Sequence, residues 1–392
     1  MAGHAAHIGL TAEWIGTQAG GLEAYSRSLI TALGERHSPH RFTAYTARKT
    51  ALAGIEGVDR RYVGTGSRAL FHAAALPIEL MRHPPDLLHV TSIPPLHSRA
   101  PYVMTLHDMG HKVMPEMYPP RIRWRLDKTI TMGIRRAVRI VCVSQATRSD
   151  LLHYHPDVDP DRVDVVAEGG LLPSNSDVDA DNDNTTLHRL GLKPGYFLYV
   201  GRLHVRKNLR RLIDAFAQLP KGLRQAHPLI LAGRQMYGGS DITDHIQSLG
   251  LEDLVHLVGH VEDADLPAVY RGAMAFVYPS LFEGFGLPPL EAMSQGLPVI
   301  CSDCHSLPEV VGDAGLCVDT TNSNALASAM LGLAENGNLR KDLSERGTAR
   351  ARQFTWDKAA VETMGVYDKA LVEIAGQGHR TFGHSVDVSH QR

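Results

Sequence analysis

The sequence predicts an α/β protein built from two doubly wound domains, each with a parallel sheet. The chain has 392 residues, a length that suits two domains with separate cores. Short apolar runs alternate with helical patterns from one end of the chain to the other. Most of these runs lack polar alternation, as expected for strands that are buried on both faces of a parallel sheet. An acidic, polar stretch near residue 180 interrupts the alternation once and indicates the boundary between the domains.

The first half of the chain has the strand-helix order of a parallel sheet. Helices are predicted at 21–34, 68–81 and 121–137. The predicted strands are 7–15, 41–47, 86–92, 102–108, 139–144 and 163–168.

The second half repeats this order after a linker. The polar stretch SNSDVDADNDNTT, residues 174–186, is predicted to be solvated. The strands predicted beyond it are 196–201, 228–233, 255–260, 275–280, 297–302 and 315–319.

These patterns set the expected domain boundaries. The first domain is predicted over 1–175 and the second over 188–353. A last helix is predicted over about 354–375, and the polar tail 376–392 is predicted to be disordered.

Composition and charge exclude several classes of protein. A formal net charge of -2 does not suit a nucleic-acid binder, which would be strongly basic. No apolar run approaches the roughly 18 residues that span a bilayer. The first residues show no basic segment followed by an apolar one, so we expect no export signal. With only four cysteines in the chain, we expect a reducing, cytoplasmic location.

Two patterns resemble metal sites without completing one. Cys301 and Cys304 form a C-x-x-C pair beside His305, but no second pair or thioredoxin-like setting is visible. The aspartates between residues 177 and 183 alternate as in a calcium loop. That loop needs glycine at its sixth position and glutamate at its twelfth, where this chain has Asn182 and His188. We therefore predict no metal site.

The stretch LFEGFGLPPLEAMSQG, residues 281–296, places two glutamates around a Gly-Phe-Gly turn. Glycines let a ligand approach the backbone, proline suits the first turn of a helix, and Gly296 suits its end. Backbone N–H groups at the start of that helix favour an anion. The carboxylates of Glu283 and Glu291 would repel a phosphate unless they accept hydrogen bonds from hydroxyls beside it. The stretch therefore predicts a site for a phosphate flanked by polyols.

A second cluster, GRLHVRKN, carries two cations between a strand and an amphipathic helix. Arg202 and Lys207 suit a diphosphate, the first through its forked guanidinium and the second as a point charge. Together with the two glutamates, this cluster indicates a site for a sugar nucleotide.

Longer stretches resemble a known family. GRLHVRKN, LAGR, GHVEDADLPAVYRGA, YPSLFEGFGLPPLEAMSQGLPVICSD and LPEVVGDAGLCV resemble, in order, the C-terminal domain of glycosyltransferase family 4. GTQAGGLEAYSRSL, TLHDM and CVSQATRSDLL resemble its N-terminal domain, and the resemblance spans roughly residues 7 to 370. It implies a retaining, nucleotide-sugar-dependent enzyme of the GT-B fold. In that fold two Rossmann-like domains face each other across a cleft, and the C-terminal helix crosses back to the N-terminal domain.

The resemblance also implies roles for individual residues. Arg202 and Lys207 would hold the donor diphosphate, and Glu283 would bind hydroxyls of the donor sugar. Glu291 would bind the ribose, and His107 would face the anomeric centre. The backbone amides that would line the sugar and phosphate belong to Gly284, Phe285, Gly286 and Leu287. The residues that would border the base are Gly233, Arg234, His260 and Val261. The glycine turn of the N-terminal domain would consist of Gly20 and Gly21.

Three further residues are weaker candidates. Glu23 is a helix-start carboxylate that could also contact the acceptor, and Asp108 and Ser144 follow predicted strands. One position departs from the family, which usually has an Asn-Gly pair before the linker. This chain has Glu168-Gly169 there.

The implied reaction is front-face transfer of a hexose with retention. The cations and the helix start would stabilise the departing diphosphate, whose oxygen would take the proton of the acceptor. Such a hexosyltransferase needs no metal, no cofactor and no protein base. The donor would be GDP-mannose or a UDP-hexose, and the acceptor would be a glycan or a lipid-linked glycan in cell-surface polysaccharide or glycolipid assembly.

The segment 121–139 carries seven Arg or Lys residues against one acid, Asp127. It would either dock the enzyme peripherally on the inner face of an anionic membrane or form a solvated helix.

Other functions remain open on the sequence alone. A disaccharide phosphorylase or a sugar-nucleotide epimerase of the same fold would share the donor site, and a non-catalytic sugar-nucleotide-binding partner would share it without turnover. A dehydrogenase is disfavoured because no G-x-G-x-x-G motif follows the first strand.

Overall fold

The structure is a computed structural model that describes residues 5–17, 20–49, 51–64, 67–170, 172, 180–234 and 240–382. The chain divides into two compact units. The first unit comprises Met1–Gly169 together with Trp356–Arg392, and the second comprises Gly170–Thr355.

The first unit is built on a seven-stranded sheet in the order β3-β2-β1-β4-β5-β6-β7. Every neighbouring pair in it is parallel. Its central strands are buried along their whole length, which explains their continuous apolar sequences. The strands are β1 (His7–Thr11), β2 (Arg41–Thr46), β3 (Asp59–Tyr62), β4 (Leu87–Val90), β5 (Tyr102–Leu106), β6 (Arg139–Cys142) and β7 (Val163–Val165).

Helices connect these strands. Pro120 begins the longest of them, a position where its missing N–H is not needed, and Ser144 caps another by accepting a hydrogen bond from the Thr147 N–H. The helices are α1 (Gly21–Glu35), α2 (Arg68–Leu70), a π turn (Phe71–Ala75), α3 (Leu76–Arg82), α4 (Gly110–Val113), α5 (Pro120–Arg136) and α6 (Gln145–Tyr154), with 3₁₀ turns at Pro115–Met117 and Pro160–Arg162.

The second unit is built on a six-stranded sheet in the order β10-β9-β8-β11-β12-β13. Its neighbouring strands are also all parallel. The strands are β8 (Tyr196–Val200), β9 (Leu229–Ala232), β10 (Val255–Gly259), β11 (Ala273–Tyr278), β12 (Val299–Ser302) and β13 (Leu316–Val318).

Helices also surround this second sheet. The buried residues of Leu209–Ala217 lie on one face, as the helical spacing of its leucines predicts. The helices are α7 (Ala180–Arg189), α8 (Leu209–Ala217), α9 (Lys221–Ala226), α10 (Ser240–Ser248), α11 (Leu266–Gly272), α12 (Leu287–Ser294), α13 (Leu307–Val311), α14 (Ser323–Glu335) and α15 (Gly337–Ala351), with 3₁₀ turns at Val205–Lys207 and Gly312–Ala314.

The last helix, α16 (Trp356–Phe382), belongs to the first unit. The Tyr367 hydroxyl shares a 2.6 Å hydrogen bond with His89 Nδ1 of β4, and Glu373 pairs with Arg139 at the start of β6. The predicted return of the C-terminal helix to the first domain is therefore confirmed. The disorder predicted from residue 376 is wrong up to Phe382, because the helix continues to that residue. Residues 383–392 lie outside the described part of the chain.

Two other sequence predictions need correction. Residues 180–186 of the predicted linker form the first part of α7, where both Asp183 oxygens accept hydrogen bonds from Arg271. The rest of the linker, residues 174–179, lies outside the described residues, and with it Asp177 and Asp179 of the calcium-like run. Strand β3 was not predicted, because all four of its residues are exposed and three of them are charged.

Each sheet has one place where the strand order reverses direction. In the first unit it lies between β1 and β4, and in the second between β8 and β11. Open parallel sheets bind their ligands outside the carboxyl ends of the strands at such a switch point. The predicted class, two doubly wound α/β domains, is confirmed, and it directs attention to these two edges. Within the described residues, no helix combines the length and apolarity needed to span a membrane.

Candidate active site

Two loops meet at the switch point of the second sheet. One follows β8 and carries Lys207, and the other follows β11 and carries Glu283. The Lys207 ammonium donates hydrogen bonds to the Glu283 carboxylate and, at 2.6 Å, to the Tyr278 hydroxyl. Lys207 and Glu283 are both buried. The structure thus brings together the lysine and the glutamate that the sequence assigned to the diphosphate and to the donor sugar.

The Glu283 carboxylate accepts further hydrogen bonds from the Tyr278 hydroxyl at 3.0 Å and from the Ser280 hydroxyl. Arg206 lies 3.9 Å from its second oxygen. Burial alone would raise the pKa of Glu283, but the charges of Lys207 and Arg206 outweigh it and lower the pKa to about 2. Glu283 is therefore an anion at neutral pH, with an acceptor oxygen beside two cations.

The turn after Glu283 is fixed by side chains from the loop after β12. His305 Nδ1 and the Ser306 hydroxyl both donate to the Glu283 carbonyl, and Ser306 also donates to the Phe285 carbonyl at 2.7 Å. The φ angle of Gly286 is 126°, and a Cβ there would lie 2.8 Å from a methyl group of Leu307. The predicted Gly-Phe-Gly turn is therefore a rigid support that leads into α12.

The residues of this turn are largely buried. The Phe285 ring is buried and packs edge-on against the half-buried Phe354, with 5.8 Å between ring centroids. Helix α12 begins at Leu287 with two prolines after it and ends at Ser294, as predicted. The amides of Gly284 to Leu287 stay a prediction as ligand groups, in a place where the helix start favours an anion.

Glu291 lies inside α12 and is buried. Its Oε2 accepts a 2.9 Å hydrogen bond from the Tyr270 hydroxyl of α11. Burial raises the pKa of Glu291 to about 7; the Tyr270 hydrogen bond opposes the shift and Asp263 adds to it. Tyr270 thus holds Oε2 of this carboxyl group, and the contact of Glu291 with a ribose stays a prediction.

The residues assigned to the base follow the next two strands. The Gly233 N–H donates to the Gly259 carbonyl at 2.6 Å, and a Cβ on Gly233 would lie 1.8 Å from the Gly201 carbonyl oxygen. Glycine is therefore required where the ends of β8 and β9 approach each other. Beyond them, Arg234 and His260 have exposed side chains and Val261 is buried.

Arg202 comes two residues after the end of β8. Its side chain is exposed, and its carbonyl accepts a 3.0 Å hydrogen bond from the Tyr199 hydroxyl. Arg202, Lys207, Glu283 and the Gly233 turn thus all follow carboxyl ends of strands in one sheet, as the sequence predicted.

In the first unit, His107 follows the end of β5. Its Nε2 donates a 2.9 Å hydrogen bond to the Thr91 carbonyl, and its Nδ1 lies 3.4 Å from Glu168 Oε1. The Tyr25 ring meets the imidazole edge-on at 4.6 Å. Burial would lower the pKa of His107, but Glu168, the Thr91 carbonyl and Asp108 together raise it.

Other candidates of the first unit have local structural contacts. Gly20 precedes α1 with a φ angle of 66°, and Gly21 begins the helix. Glu23 accepts a 2.6 Å hydrogen bond from the Gly16 N–H and so orders the loop before α1. The weaker candidates Asp108 and Ser144 accept from the N–H groups of Gly110 and Thr147 and stabilise helix starts.

Sequence reasoning missed several contacts of the site. Arg206, Tyr270, Tyr278, Ser280 and Ser306 were not predicted, although they hold the two glutamates and the turn. Arg206 could have been noticed as a third cation in GRLHVRKN, while nothing in the sequence marks Tyr270.

Two Rossmann-like parallel sheets in separate units, with paired charges at the switch point of the second, are the architecture of the GT-B class. The profile described as Glycosyltransferase Family 4 matches residues 19–169, and the profile described as Glycosyl transferases group 1 matches residues 185–350. The O-antigen chain mannosyltransferase B of Escherichia coli is 35% identical over 271 residues, which cover 68% of this chain and 69% of that protein. The chain therefore belongs to glycosyltransferase family 4, as its motifs predicted.

Solved structures share the fold. Sucrose-phosphate synthase from Thermosynechococcus elongatus matches with a TM-score of 0.74 and 22% identity, covering 94% of this chain and 99% of that one. HepE from Anabaena, solved in complex with UDP and glucose, matches with a TM-score of 0.72 and 20% identity, covering 92% and 99% of the two chains.

Proposed function

We propose that this glycosyltransferase moves mannose, with retention, from a nucleotide-diphosphate mannose to a glycan or lipid-linked acceptor in the assembly of a cell-surface polysaccharide. The observation that carries the proposal is the pairing of the buried Glu283 anion with Lys207 at the second switch point, with Glu291 on the helix that follows. This arrangement supplies cations for a diphosphate and carboxylates for two sets of hydroxyls.

Mannose is supported by the similarity to an O-antigen chain mannosyltransferase. GDP-mannose is therefore the first donor to test, and UDP-hexoses, which the sequence left open, are the comparison. The acceptor follows from the same similarity, since an O-antigen chain is a growing saccharide.

Retention is expected from the resemblance to the family, and the two glutamates favour front-face transfer over a covalent glycosyl-enzyme intermediate. Glu283 is tied to Lys207, Tyr278 and Ser280, which suits hydroxyl binding more than attack on the sugar. Glu291 is held by Tyr270 on the helix that would carry the ribose. Neither Glu283 nor Glu291 is placed as a nucleophile. An oxygen of the departing diphosphate would therefore accept the proton of the acceptor hydroxyl. Arg202, Lys207 and the start of α12 would stabilise its charge, so that no metal is required.

The first experiment measures thermal stability with GDP, UDP, ADP and GDP-mannose, with and without EDTA. A ligand that binds only the folded state raises the melting temperature. We expect GDP and GDP-mannose to raise it without added metal, and Glu291→Ala to diminish the shift. The absence of a shift with every nucleotide would refute the donor site. NMR of the product then reads the anomeric configuration, and an inverted product would refute retention.

The sugar-nucleotide donor also separates the alternatives. A transferase releases GDP from GDP-mannose only when an acceptor, or water in place of the acceptor, receives the mannose. A phosphorylase instead consumes disaccharide and phosphate. Turnover of disaccharide with phosphate but not of GDP-mannose would replace our proposal with the phosphorylase reading.

We propose further that α5 contacts an anionic membrane. Trp124 is 65% exposed and Ile122 is 43% exposed on a helix rich in arginine, a combination that suits insertion of apolar groups between anionic headgroups. Co-sedimentation with vesicles of phosphatidylglycerol and phosphatidylcholine should exceed that with phosphatidylcholine alone, and Trp124→Ala should reduce it. Val372→Ala removes an equally exposed apolar side chain from α16 and serves as the control. Equal binding by both variants would exclude α5 as the docking surface.

A further inference from the structure

The hydrogen bonds of His107 fix where its protons lie. The Thr91 carbonyl can only accept a hydrogen bond, so the Nε2 that lies 2.9 Å from it carries a hydrogen. In a neutral imidazole the other nitrogen, Nδ1, then has a lone pair and no hydrogen. That lone pair would face Glu168 Oε1 at 3.4 Å.

A lone pair that faces a carboxylate is unfavourable, whereas an N–H in the same place forms a charge-assisted contact. Both His107 nitrogens therefore have an acceptor, which is the arrangement of an imidazolium. The raised pKa of His107 agrees with this geometry, since Glu168 and Thr91 together outweigh the effect of burial.

The other titratable groups around His107 do not take over this role. His89, on the neighbouring strand β4, has its pKa lowered to about 3 by burial and by the charge of His107, so it is neutral. The Tyr25 hydroxyl shares a hydrogen bond with Thr105, and burial raises its pKa. The Asp108 carboxylate accepts from the Gly110 N–H, and its charge helps to raise the pKa of His107. Glu168 is the carboxylate that the structure places against Nδ1.

We propose that Glu168 is a positioning residue that holds His107 as a fixed imidazolium, which meets the substrate as a cation and hydrogen-bond donor and never as a base. The inference rests on the proposed function, in which His107 faces the sugar that is transferred. Asparagine, which the family usually has at this position, could orient the ring without charging it.

Both side chains of this contact keep part of their surface exposed. At 3.4 Å the Nδ1–H is held loosely, since N–H···O hydrogen bonds usually span about 2.9 Å. His107 keeps 17% of its side chain exposed and Glu168 keeps 6%. A sugar hydroxyl that accepts from Nδ1 and donates to Glu168 would satisfy both groups at once.

The test compares the pH dependence of mannosyl transfer in the wild type, Glu168→Gln and Glu168→Asn. Because the imidazolium is the active form, wild-type activity should fall as pH rises through the pKa of His107, which lies above 6.5. Removing the carboxylate lowers this pKa, so the alkaline limb should move to lower pH. Above both limbs, activity should fall about tenfold for each unit by which the pKa drops, and the two profiles should converge only at pH values below both limbs. Proton NMR of the His107 ring, assigned with His107→Gln, should show the same displacement.

Glu79→Gln is the matched control, because Glu79 is a part-buried carboxylate of the same unit that pairs with Arg61 on the edge strand. Its pH profile should coincide with that of the wild type. Equal loss of activity at every pH in Glu168→Gln, with an unchanged His107 titration, would overturn the proposal and leave Glu168 a structural residue. A displaced titration with an unmoved activity profile would show that transfer does not use the charge. Binding of GDP, measured by thermal shift, confirms that each variant is folded. A wild type that binds GDP without transferring mannose would reject the proposed function. The NMR titration of His107 would then still test its pairing with Glu168.

Discussion

Replacing Lys207 by methionine removes the ammonium partner of a buried carboxylate while keeping the length of the side chain. The pKa of Glu283 is about 2, against an ordinary value of 4.5. Each unit of difference corresponds to about 1.4 kcal/mol, so the groups around Glu283 stabilise the folded state by about 3 kcal/mol at neutral pH. Breaking a buried ion pair on one side costs about 3–5 kcal/mol in other proteins, which agrees in size.

Arg206, Tyr278 and Ser280 still reach Glu283 in this variant, so we expect Lys207→Met to cost about 2–3 kcal/mol. For a unit of this size, such a loss lowers the melting temperature by about 5–10 °C. The folded-state pKa of Glu283 is depressed, so its stabilisation is complete above the unfolded pKa near 4.5 and is lost as pH falls toward 2. The difference between wild type and variant should therefore shrink by about 1 kcal/mol between pH 7 and pH 4.

The assay is urea and thermal unfolding of the full chain at both pH values, with the double variant Lys207→Met/Glu283→Gln completing the cycle. Removing both charges leaves no unpaired ion, so the double variant should be more stable than Lys207→Met alone. Lys193→Met, at an exposed lysine of the same unit, should change stability by less than about 0.5 kcal/mol. A cost below about 1 kcal/mol for Lys207→Met, or a double variant less stable than the single one, would refute the ion pair as described.

Further consequences follow from the same unit. Because the pKa of Glu291 is about 7, its carboxylate form is lost as pH falls below 7, and GDP affinity measured by calorimetry should weaken there. Glu291→Gln should weaken GDP binding at every pH and remove its pH dependence. A decline of affinity in the variant parallel to that of the wild type would contradict the proposed role of Glu291. Gly233→Ala should lower the unfolding free energy by more than about 2 kcal/mol, because its Cβ would overlap the Gly201 carbonyl; a melting temperature equal to that of the wild type would exclude this overlap. Ser306→Ala removes the hydroxyl that holds the turn after Glu283, so it should lower the free energy of unfolding by about 1–2 kcal/mol. It should also weaken GDP-mannose binding more than the control variant Ser294→Ala does.

The strands were predictable because most are buried on both faces, which gives an apolar run with clear ends. The prediction 7–15 extends beyond the observed carboxyl end at Thr11, because Ala12 and Ile15 after it are also apolar and buried. The prediction 102–108 extends two residues beyond the observed end at Leu106. Strand β3 at the edge of its sheet could not be found, since an exposed strand of charged residues has no burial pattern. The local sequence pattern indicates which segments are buried, and it indicates which distant segments pair only where that pairing buries them.

The residues of the site were predictable where the chemistry lies in one continuous segment. Glu283 and Glu291 flank a turn whose glycine and prolines define a helix start, and Lys207 closes a short loop between strand and helix. Contacts between segments were not predictable, because the Lys207–Glu283 pair and the Tyr270–Glu291 hydrogen bond depend on which strands are neighbours in the sheet. The Glu168 departure was visible in sequence, but its partner His107 became known only from the structure.

Two glutamates eight positions apart in one segment have their pKa values displaced in opposite directions. Glu283 meets two cations that outweigh its burial, so it remains ionised throughout the physiological range. Glu291 is equally buried but meets only the Tyr270 hydroxyl and the charge of Asp263, so its pKa rises to about 7. The same residue type thus provides a permanent anion beside two cations and a group that titrates near neutral pH, which the proposed function assigns to the donor sugar and to the ribose. Bound hydroxyls donate more strongly to a carboxylate than to a carboxylic acid, so nucleotide binding should lower the pKa of Glu291 and release its proton near pH 7. The pKa of Glu283 lies too far below this pH for its protonation to change in the same experiment.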